Sequence, residues 1–556
     1  MTRPADMRRL TGAAAVSAPR NYHAARWNEP LIFALDAPGQ RGVIPPAAPV
    51  ELRQRLADST PPQAPWRRTD QPNLPRVAQP QVLRHFLRLS QEALGADLNV
   101  DIGQGTCTMK YSPKVHEALV AEPGLAEAHP LQPAETVQGL LRILSELEGY
   151  LAEITGMDAV CLQPGGGSLA IFTNVQMVQA YHRSRGDGDQ RSEVITTAFS
   201  HPSNAAAART AGYRVVTLPV GQKGYVTLDA FKEVLTARTA AILVTNPEDT
   251  GVFNPDMGRI VAATHAVGAL AVYDQANANG LLGVTRAGDA GFDLGQLNLH
   301  KTFSTPHASG GPASGAILAS RALAPFLPGP RVARDALGRF RWEPAGPLAV
   351  APAHPAHGVM ANVVRAYAWI RALGAEGLLQ VSHTAVLNNN YVLAQLAKVD
   401  GVAPSFLRPG ARPIEQVRYS WAELAAETGV TSAELGQRMA DYGLHYWTSH
   451  HPYLVPEPAT IEPTESYSKA ELDEFVAALK LTAREARVNP KGIQAAPQRS
   501  SVHQIDPEAM SDPDTWATSW RAYRRKYLSQ GEAVPEHWRP GPDTPKKPRP
   551  PKAFHR

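Results

Sequence analysis

Short apolar runs alternate with helical patterns through the middle of the chain. From about residue 158 the successive runs are AVCLQ, EVITT, RVVTL, AAILVTN, ALAVYD and LGQLNL. Strands that alternate with helices form βαβ units, and such units build a largely parallel sheet. The pattern therefore predicts an α/β fold with its large domain in this region.

The flanking regions have different patterns. Residues 134–155 carry apolar residues at helical spacing and predict a long amphipathic helix. Residues 345–485 mix the helical stretch VVRAYAWIRALGAEGLLQVSHTAVL with short strand candidates such as EQVRYS, which predicts a smaller α+β domain. Residues 29–80 are rich in Pro, Arg and Ala, and we expect an extended arm there.

These patterns predict a division of the chain into five parts. They are a disordered N-terminal arm (1–28), an extended and helical segment (29–130), the large domain (131–340), the small C-terminal domain (341–490) and a Pro-rich basic tail (491–556).

Composition excludes several classes of protein. The 556 residues carry a net charge of only +4, which argues against a dedicated nucleic-acid binder. Apolar runs are too short for a membrane span, and the N-terminus has no apolar core of a secretory signal. Cys107 and Cys161 cannot make a disulfide scaffold, and no zinc-binding spacing is present. We interpret both cysteines as buried apolar residues, and we predict no metal site.

Candidate chemistry falls at the ends of predicted strands, where open α/β sheets place their ligands. The turn QPGGGS, which includes Gly166, Gly167 and Ser168, precedes a helical run. Glycines at a helix N-terminus let backbone N–H groups approach a phosphate. A glycine-rich turn without a ligand is also common, so this motif alone does not establish a phosphate site.

An acid and a lysine end two later strands. Asp274 closes ALAVYD, where it could cap a helix or keep a pyridinium nitrogen protonated. Lys301 follows LGQLNL, and a lysine at the end of a buried strand is costly unless it is paired or covalently used, as in a Schiff base. Together, a phosphate cup, an acid and a lysine in this order favour pyridoxal 5'-phosphate as cofactor.

The lysine segment LNLHKTFSTPHASGGPASG (297–315) resembles that of the glycine cleavage system P-protein, glycine dehydrogenase (aminomethyl-transferring). The resemblance covers about residues 28–490 and fits the second subunit of the two-subunit bacterial form. Further similar segments follow in family order at 30–42, 105–115, 129–139, 150–164, 274–283, 365–378 and 461–475.

This resemblance implies a fold-type-I pyridoxal-phosphate enzyme of the transferase-like kind, with a mostly parallel seven-stranded sheet and a smaller α+β C-terminal domain. It implies that glycine loses carbon dioxide and that its aminomethyl group passes to the lipoyl arm of H-protein. The implied partners are glycine, a subunit 1 and lipoylated H-protein, in a dimer or hetero-oligomer in the cytoplasm, with no nucleic acid or membrane.

Site residues carry over by position. The resemblance makes Lys301 the Schiff-base residue, gives His201 a catalytic place in an HGTNP-like motif, and pairs Asp274 with the pyridinium nitrogen. The remaining cofactor-binding positions are Gly166, Gly167, Ser168, Asn277, His300 and Thr302. The implied substrate-binding positions are Thr106, Cys107 and Lys110, in an SCTMK-like motif, and His307, in the loop after the lysine with Gly310 and Gly311.

Some positions depart from the family pattern. Leu169 stands where a histidine lies over the cofactor ring, Ile171 replaces an acid, and Gln275 replaces a glycine. These changes leave open a divergent pyridoxal-phosphate enzyme acting on another amino acid, as a decarboxylase, an aldol-type lyase or an aminotransferase. A non-catalytic scaffold subunit is a third hypothesis, against which the retention of Lys301 and Asp274 argues.

The sequence predicts no catalytic or metal-binding role for two other sets of polar residues. His445, His450 and His451 match no metal-ligand spacing, so we expect a loop or core role for them. Glu462 and Glu465 lie in IEPTES, which we interpret as an exposed turn.

Overall fold

The computed structural model describes residues 19, 22–25, 27, 29–42, 46–58, 74–94, 100, 102–103, 110–305, 312–355, 357–446 and 454–501. The described residues fall into two compact units, one within 1–23 and 94–499 and the other within 24–93 and 500–556. Among them, no helix combines the length and apolar character that crossing a membrane requires.

The smaller unit contains helices α1 (Val50–Ala57) and α2 (Gln79–Glu92) and a 3-10 turn at Ile32–Leu35. The side chain of Glu29 is only 4% exposed and binds His85 (2.9 Å) and Arg88 (3.0 Å) of α2. The extended arm expected over 29–80 is thus interrupted by α1 and ends at α2. The α2 sequence QPQVLRHFLRLSQE forms a helix because proline near its start presets the backbone angle and apolar residues recur at helical spacing.

The larger unit is built on a seven-stranded sheet with strand order β1-β7-β6-β5-β4-β2-β3. Strand β7 runs antiparallel to its neighbours, and the others pair in parallel across β6-β5-β4-β2-β3. The mostly parallel sheet predicted from the six apolar runs is confirmed. The strands are β1 (Ala159–Cys161), β2 (Glu193–Thr197), β3 (Arg214–Leu218), β4 (Thr239–Val244), β5 (Leu270–Gln275), β6 (Leu294–Asn298) and β7 (Gly315–Ala319).

Helices connect and cover these strands. The amphipathic helix predicted over 134–155 is confirmed as a 3-10 turn (Ala134–Thr136) followed by α5. In chain order the helices of this region are α3 (Lys114–Ala121), α4 (Pro123–Ala126), α5 (Gln138–Thr155), α6 (Gly167–Arg185), α7 (Pro202–Thr210), α8 (Leu228–Val234), α9 (Met257–Ala266) and α10 (Leu299–Thr302), with a 3-10 turn at Ala324–Phe326.

The C-terminal part of the same unit has its own antiparallel sheet, with order β10-β11-β12, and a separate hairpin β8–β9 precedes it. Its elements are β8 (Arg331–Arg334), β9 (Phe340–Glu343), α11 (Met360–Leu396), β10 (Ala403–Pro404), β11 (Val417–Ser420), α12 (Ala422–Thr428), α13 (Ser432–Ala440), β12 (Pro458–Ile461), α14 (Lys469–Val488) and α15 (Pro490–Gln494).

Apolar side chains form three clusters. Successive strand residues point to opposite faces of a sheet, so Val194 joins one cluster and Ile195 another. A third cluster fills the C-terminal part and includes Trp421 and Phe475. Cys161, the last residue of β1, is buried in an apolar cluster on one face of the large sheet, as the sequence predicts.

The long helix α11 connects the two cores. Its first part places Trp369 in a cluster of the large sheet, and its end places Leu396 in the C-terminal cluster. Between them Gly374 has φ 64° and ψ −175°, which breaks the helical path. α11 therefore consists of two helical segments that meet at this glycine.

Candidate active site

Three strand ends bring the candidate residues to one edge of the large sheet. Strand β5 runs parallel to β6, while β1 and β6 both run antiparallel to β7 between them. The carboxyl ends of β1, β5 and β6 therefore lie at the same edge. The glycine turn follows β1, Asp274 lies at the end of β5, and Lys301 follows β6.

The glycine turn leads directly into α6, a helix of 19 residues. A Cβ atom on Gly167 would lie 2.6 Å from Asn298 Oδ1, so a larger residue would displace that buried amide. Asn298 Oδ1 itself has no hydrogen-bond partner among the described residues. Ser168 is exposed on the first turn. Free N–H groups at the start of the helix, beside a glycine without room for a side chain, suit a bound phosphate.

Asp274 is buried at the end of β5. Its Oδ1 accepts hydrogen bonds from the backbone N–H of Ala276 (3.1 Å) and from Gln296 Nε2. Gln296 is its register partner on β6, so the pairing of the two strands places the amide beside the carboxylate. These bonds fix the orientation of the carboxylate.

Lys301 lies in the short helix α10 and is only 7% exposed. Among the described residues, no hydrogen bond or ion pair holds its Nζ. The two residues beside Lys301 form hydrogen bonds with other parts of the chain. His300 Nδ1 accepts from the Ser314 N–H (3.0 Å), and Thr302 Oγ1 accepts from the Ala278 N–H (2.9 Å). A lysine this little exposed is unfavourable in a merely structural role unless its amine is bound or covalently used.

Glu462 was missed by the sequence interpretation, which took IEPTES as an exposed turn. That interpretation is wrong, because β12 carries the segment into the interior and Glu462 is fully buried. Glu462 Oε1 accepts hydrogen bonds from Asn277 Nδ2 and from Asn279 Nδ2 (2.7 Å). The sequence did contain one signal for a buried hydrogen-bond acceptor. The segment QANANG after β5 places amide side chains at alternate positions, and buried amides need a partner that accepts their hydrogen bonds.

Glu465, in the same segment, forms an ion pair with the buried Lys110. Glu465 Oε2 lies 3.1 Å from Lys110 Nζ, and that ammonium lies 4.7 Å from the ring centre of Trp369. Burial lowers the pKa of Lys110, and the charges of Glu465 and Glu462 oppose this shift. Lys110 is thus a buried cation held between acids and an aromatic face.

Burial has the opposite effect on nearby acids. It raises the pKa of Glu462 to about 8, although the Asn279 and Asn277 amides and the charges of Lys301 and Lys110 lower it. Burial also raises the pKa of Glu415 well above its usual range, and the charge of Glu462 adds to this. Burial therefore favours the protonated forms of both Glu462 and Glu415.

Some of the other predicted positions lie within the described residues and some lie outside them. His201 caps α7 after β2, where its Nδ1 accepts from the Ser203 N–H (3.1 Å), so it also lies at this sheet edge. Leu169 is half-buried in the first turn of α6, while Ile171 is fully buried in an apolar cluster. The predicted positions that lie outside the described residues are Thr106, Cys107, His307, Gly310, Gly311, His450 and His451.

These observations fit pyridoxal 5'-phosphate. The unpaired amine of Lys301 suits an aldehyde, the start of α6 beside Gly167 suits a phosphate, and the carboxylate of Asp274 suits a pyridinium nitrogen. All three groups come from strand ends of one sheet.

Comparison with known proteins identifies the family. A relative from Pyrococcus horikoshii named as a probable glycine dehydrogenase (decarboxylating) subunit 2 is 40% identical over 492 residues, which covers 87% of this chain and 95% of the relative. The chain belongs to the glycine dehydrogenase (decarboxylating) subunit 2 family. A relative of the same name from Shouchella clausii is 38% identical over 86% of this chain and 94% of its own. The resemblance predicted from the sequence is confirmed.

Family models and solved structures agree with this membership. Residues 381–504 match the glycine dehydrogenase C-terminal domain, and residues 167–305 match aminotransferase class-V. A crystal structure of glycine decarboxylase (P-protein) of the glycine cleavage system, in inhibitor-bound form, superposes with a TM-score of 0.64 at 22% identity, covering 78% of this chain and 97% of that one. The predicted fold-type-I class and pyridoxal 5'-phosphate as cofactor are confirmed.

Proposed function

We propose that this chain is the lysine-bearing subunit of a glycine dehydrogenase (decarboxylating). It removes carbon dioxide from glycine and passes the aminomethyl group to the lipoyl arm of an H-protein. The observation that carries the proposal is the buried Lys301 at the same sheet edge as Asp274 and the start of α6, in a chain of this family.

Each residue has a distinct task in the proposal. Lys301 holds the cofactor covalently, Asp274 keeps its ring nitrogen protonated, and the start of α6 with Gly166, Gly167 and Ser168 binds its phosphate. When bound, the cofactor supplies an electron sink for the pair released as the bond from glycine Cα to the carboxylate carbon breaks. Asn277, His300 and Thr302 fix the loops around it.

We propose that substrate binding falls to residues that the family resemblance implies, Lys110 among them. Lys110 would bind the carboxylate of glycine in place of Glu465, which lies 3.1 Å from its Nζ. The family resemblance assigns Thr106, Cys107 and His307 to substrate binding and His201 to catalysis. A buried lysine such as Lys110 is a strong point charge for a small carboxylate, because little water screens it.

Relatives bearing the name subunit 2 support a hetero-oligomer with a separate subunit 1. We propose that this assembly works in the cytoplasm and that the lipoylated H-protein approaches it as a mobile carrier.

The test is an absorbance titration of the full-length, cofactor-loaded protein with glycine. It is run alone and with subunit 1 and lipoylated H-protein, alongside glycine-dependent exchange of labelled bicarbonate. We expect a shifted cofactor band and exchange in the wild type, and neither in Lys301→Ala. The exposed Lys223→Ala serves as the matched control and should behave as wild type.

A second candidate is an enzyme of the same scaffold acting on another amino acid. Leu169 favours it, because it stands in the first turn of α6, beside the proposed phosphate site, where the family has a histidine. Ile171 does not favour it, since its side chain packs in an apolar cluster. A cofactor band that ignores glycine and responds to another amino acid would establish this candidate instead.

A further inference from the structure

The segment QANANG after β5 makes different contacts at alternate positions. The backbone N–H of Ala276 donates to Asp274 Oδ1 (3.1 Å). Two residues on, the backbone N–H of Ala278 donates to Thr302 Oγ1 (2.9 Å), and Thr302 directly follows Lys301 in α10. The two alanines of the segment therefore connect the carboxylate at the end of β5 with the helix that carries the lysine.

The two asparagines of the same segment bind one distant residue. Asn277 Nδ2 and Asn279 Nδ2 (2.7 Å) both donate to Glu462 Oε1, and the Asn279 backbone N–H donates to Asn277 Oδ1 (3.0 Å). Both side-chain amides thus depend on a single oxygen atom. Because a buried amide that loses its acceptor is unfavourable, removal of this oxygen would release both positions together.

Glu462 is itself held in place by the C-terminal part of the chain. It directly follows β12, and Ile461, the last residue of that strand, pairs with Val417 of β11. The backbone N–H of Glu462 donates to Ile102 O (2.9 Å), and the residue is fully buried. The carboxyl group therefore brings a fixed point of the C-terminal sheet to the segment that joins Asp274 to α10.

We propose that Glu462 is a positioning residue for the cofactor site, which holds Asp274 and the helix of Lys301 in their relative places through the QANANG segment. Its Oε1 fixes the two asparagines, and the alanines between them then offer their N–H groups to Asp274 and Thr302. Supporting hydrogen bonds of this kind orient the groups that contact a ligand. The proposal rests on the roles proposed above for Asp274 and Lys301.

A role limited to the stability of the C-terminal part predicts a different result. In that case the loss of Glu462 would lower Tm, and protein that remains folded would bind the cofactor as the wild type does. A positioning role predicts slower loading and a changed spectrum of the bound cofactor even in fully folded protein. Glutamine should restore wild-type behaviour, because its carbonyl oxygen can accept both amide hydrogen bonds.

The experiment compares Glu462→Ala with Glu462→Gln in the full-length protein. Each cofactor-free variant is mixed with pyridoxal 5'-phosphate well below its Tm, and the absorbance of the bound cofactor is followed with time. Borohydride then fixes the attached cofactor, and peptide mass spectrometry locates it on Lys301. We expect Glu462→Ala to load about tenfold more slowly than the wild type, with a shifted absorbance maximum, and Glu462→Gln to load within about threefold of the wild type.

Glu193→Ala is the matched control. Glu193 is also a buried acid with two partners, Arg238 at 3.0 Å and Arg214 at 3.5 Å. It begins β2, which runs parallel to β4, so it lies at the opposite edge of the sheet from Asp274. Its substitution should leave the rate of loading and the spectrum of the bound cofactor as in the wild type.

Folded Glu462→Ala protein that loads and absorbs as the wild type does would overturn the proposal, and so would a Glu462→Gln protein as impaired as Glu462→Ala. If Glu462→Ala does not fold, Asn279→Ala decides, because it removes one of the two hydrogen bonds to Glu462 Oε1 from the other side. Slower loading of that variant supports the positioning role, and wild-type loading refutes it. Bicarbonate exchange with glycine is measured on the wild type, and its failure would refute the proposed function without altering the loading results.

Discussion

Several buried acids of this chain make its folding depend on pH. Burial raises the pKa of Glu248 to about 8, and the charge of Asp249 adds to this while a hydrogen bond from Thr197 lowers it. The unfolded chain ionises this group near its ordinary value of 4.5. The native state therefore binds more protons between these values, and its stability falls as pH rises through them.

Glu248→Gln should remove this contribution, because the amide has nearly the same shape and cannot ionise. Relative to the wild type, the variant should gain stability by about 1.4 kcal/mol for each pKa unit that is relieved, between about pH 5 and about pH 8. Urea unfolding of the cofactor-free protein at both pH values measures this. Glu233→Gln, an exposed change on α8, should show no such trend, and an equal trend in both variants would contradict the prediction.

Among single residues, the sequence predicted the site residues that follow strands. It missed a residue that contacts them from a distant part of the chain. Lys301 and Asp274 follow apolar runs, so local pattern placed both of them. Glu462 contacts Asn277 across 185 residues and Asn279 across 183. Its polar surroundings in IEPTES are typical of an exposed turn, and only the folded chain shows that β12 buries it.

Among the elements, α11 depends on one glycine. Gly374 has φ 64° and ψ −175°, a conformation that side chains avoid, although no atom would crowd a Cβ there. We expect Gly374→Ala to lower the free energy of unfolding by about 1–3 kcal/mol without changing the absorbance of the bound cofactor.

The matched control for Gly374→Ala lies in α5. Gly139 is helical, and a Cβ there meets no atom, so Gly139→Ala should stabilise the protein by about 0.5–1 kcal/mol. Urea unfolding of both variants gives the comparison. Stabilisation by both substitutions would show that α11 straightens without cost.

The start of α6 gives a second prediction at this scale. In Gly167→Ala the new methyl group would meet the Asn298 amide at 2.6 Å and disturb the proposed phosphate site. We expect the Kd for pyridoxal 5'-phosphate to rise about tenfold, which corresponds to roughly 1.4 kcal/mol. An absorbance titration measures it, with Gly149→Ala in α5 as control. Unchanged affinity would place the phosphate elsewhere.

Some elements were predictable from local pattern and others were not. The strands β1–β6 carry continuous apolar runs, so their existence followed from the sequence. Strand β7 is absent from the six predicted runs, because GAILA is short and begins where the glycine-rich stretch after the lysine ends. Its antiparallel place between β1 and β6 is a long-range pairing that no local pattern reveals.

For the whole molecule, the cofactor should act as a stabilising ligand. A group that binds only the folded chain raises stability in proportion to the logarithm of its concentration above Kd. We expect reloading of the dialysed protein with pyridoxal 5'-phosphate to raise Tm by several degrees, about 2.7 kcal/mol at a hundredfold excess over Kd. Calorimetry measures the shift. Lys301→Ala should show a much smaller one, and an equal shift would argue against covalent attachment.

The separation of Asn277 and Glu462 along the chain also bears on how the enzyme is made. These two residues, whose side chains bond in the folded protein, leave the ribosome 185 residues apart. At roughly 5–20 residues per second, about 10–40 s pass between them during translation. Lys301 emerges early in that interval, before Glu462 has been added to the chain. The hydrogen bond between Asn277 and Glu462 can therefore form only after the C-terminal part has been synthesised, and this part of the site is completed late.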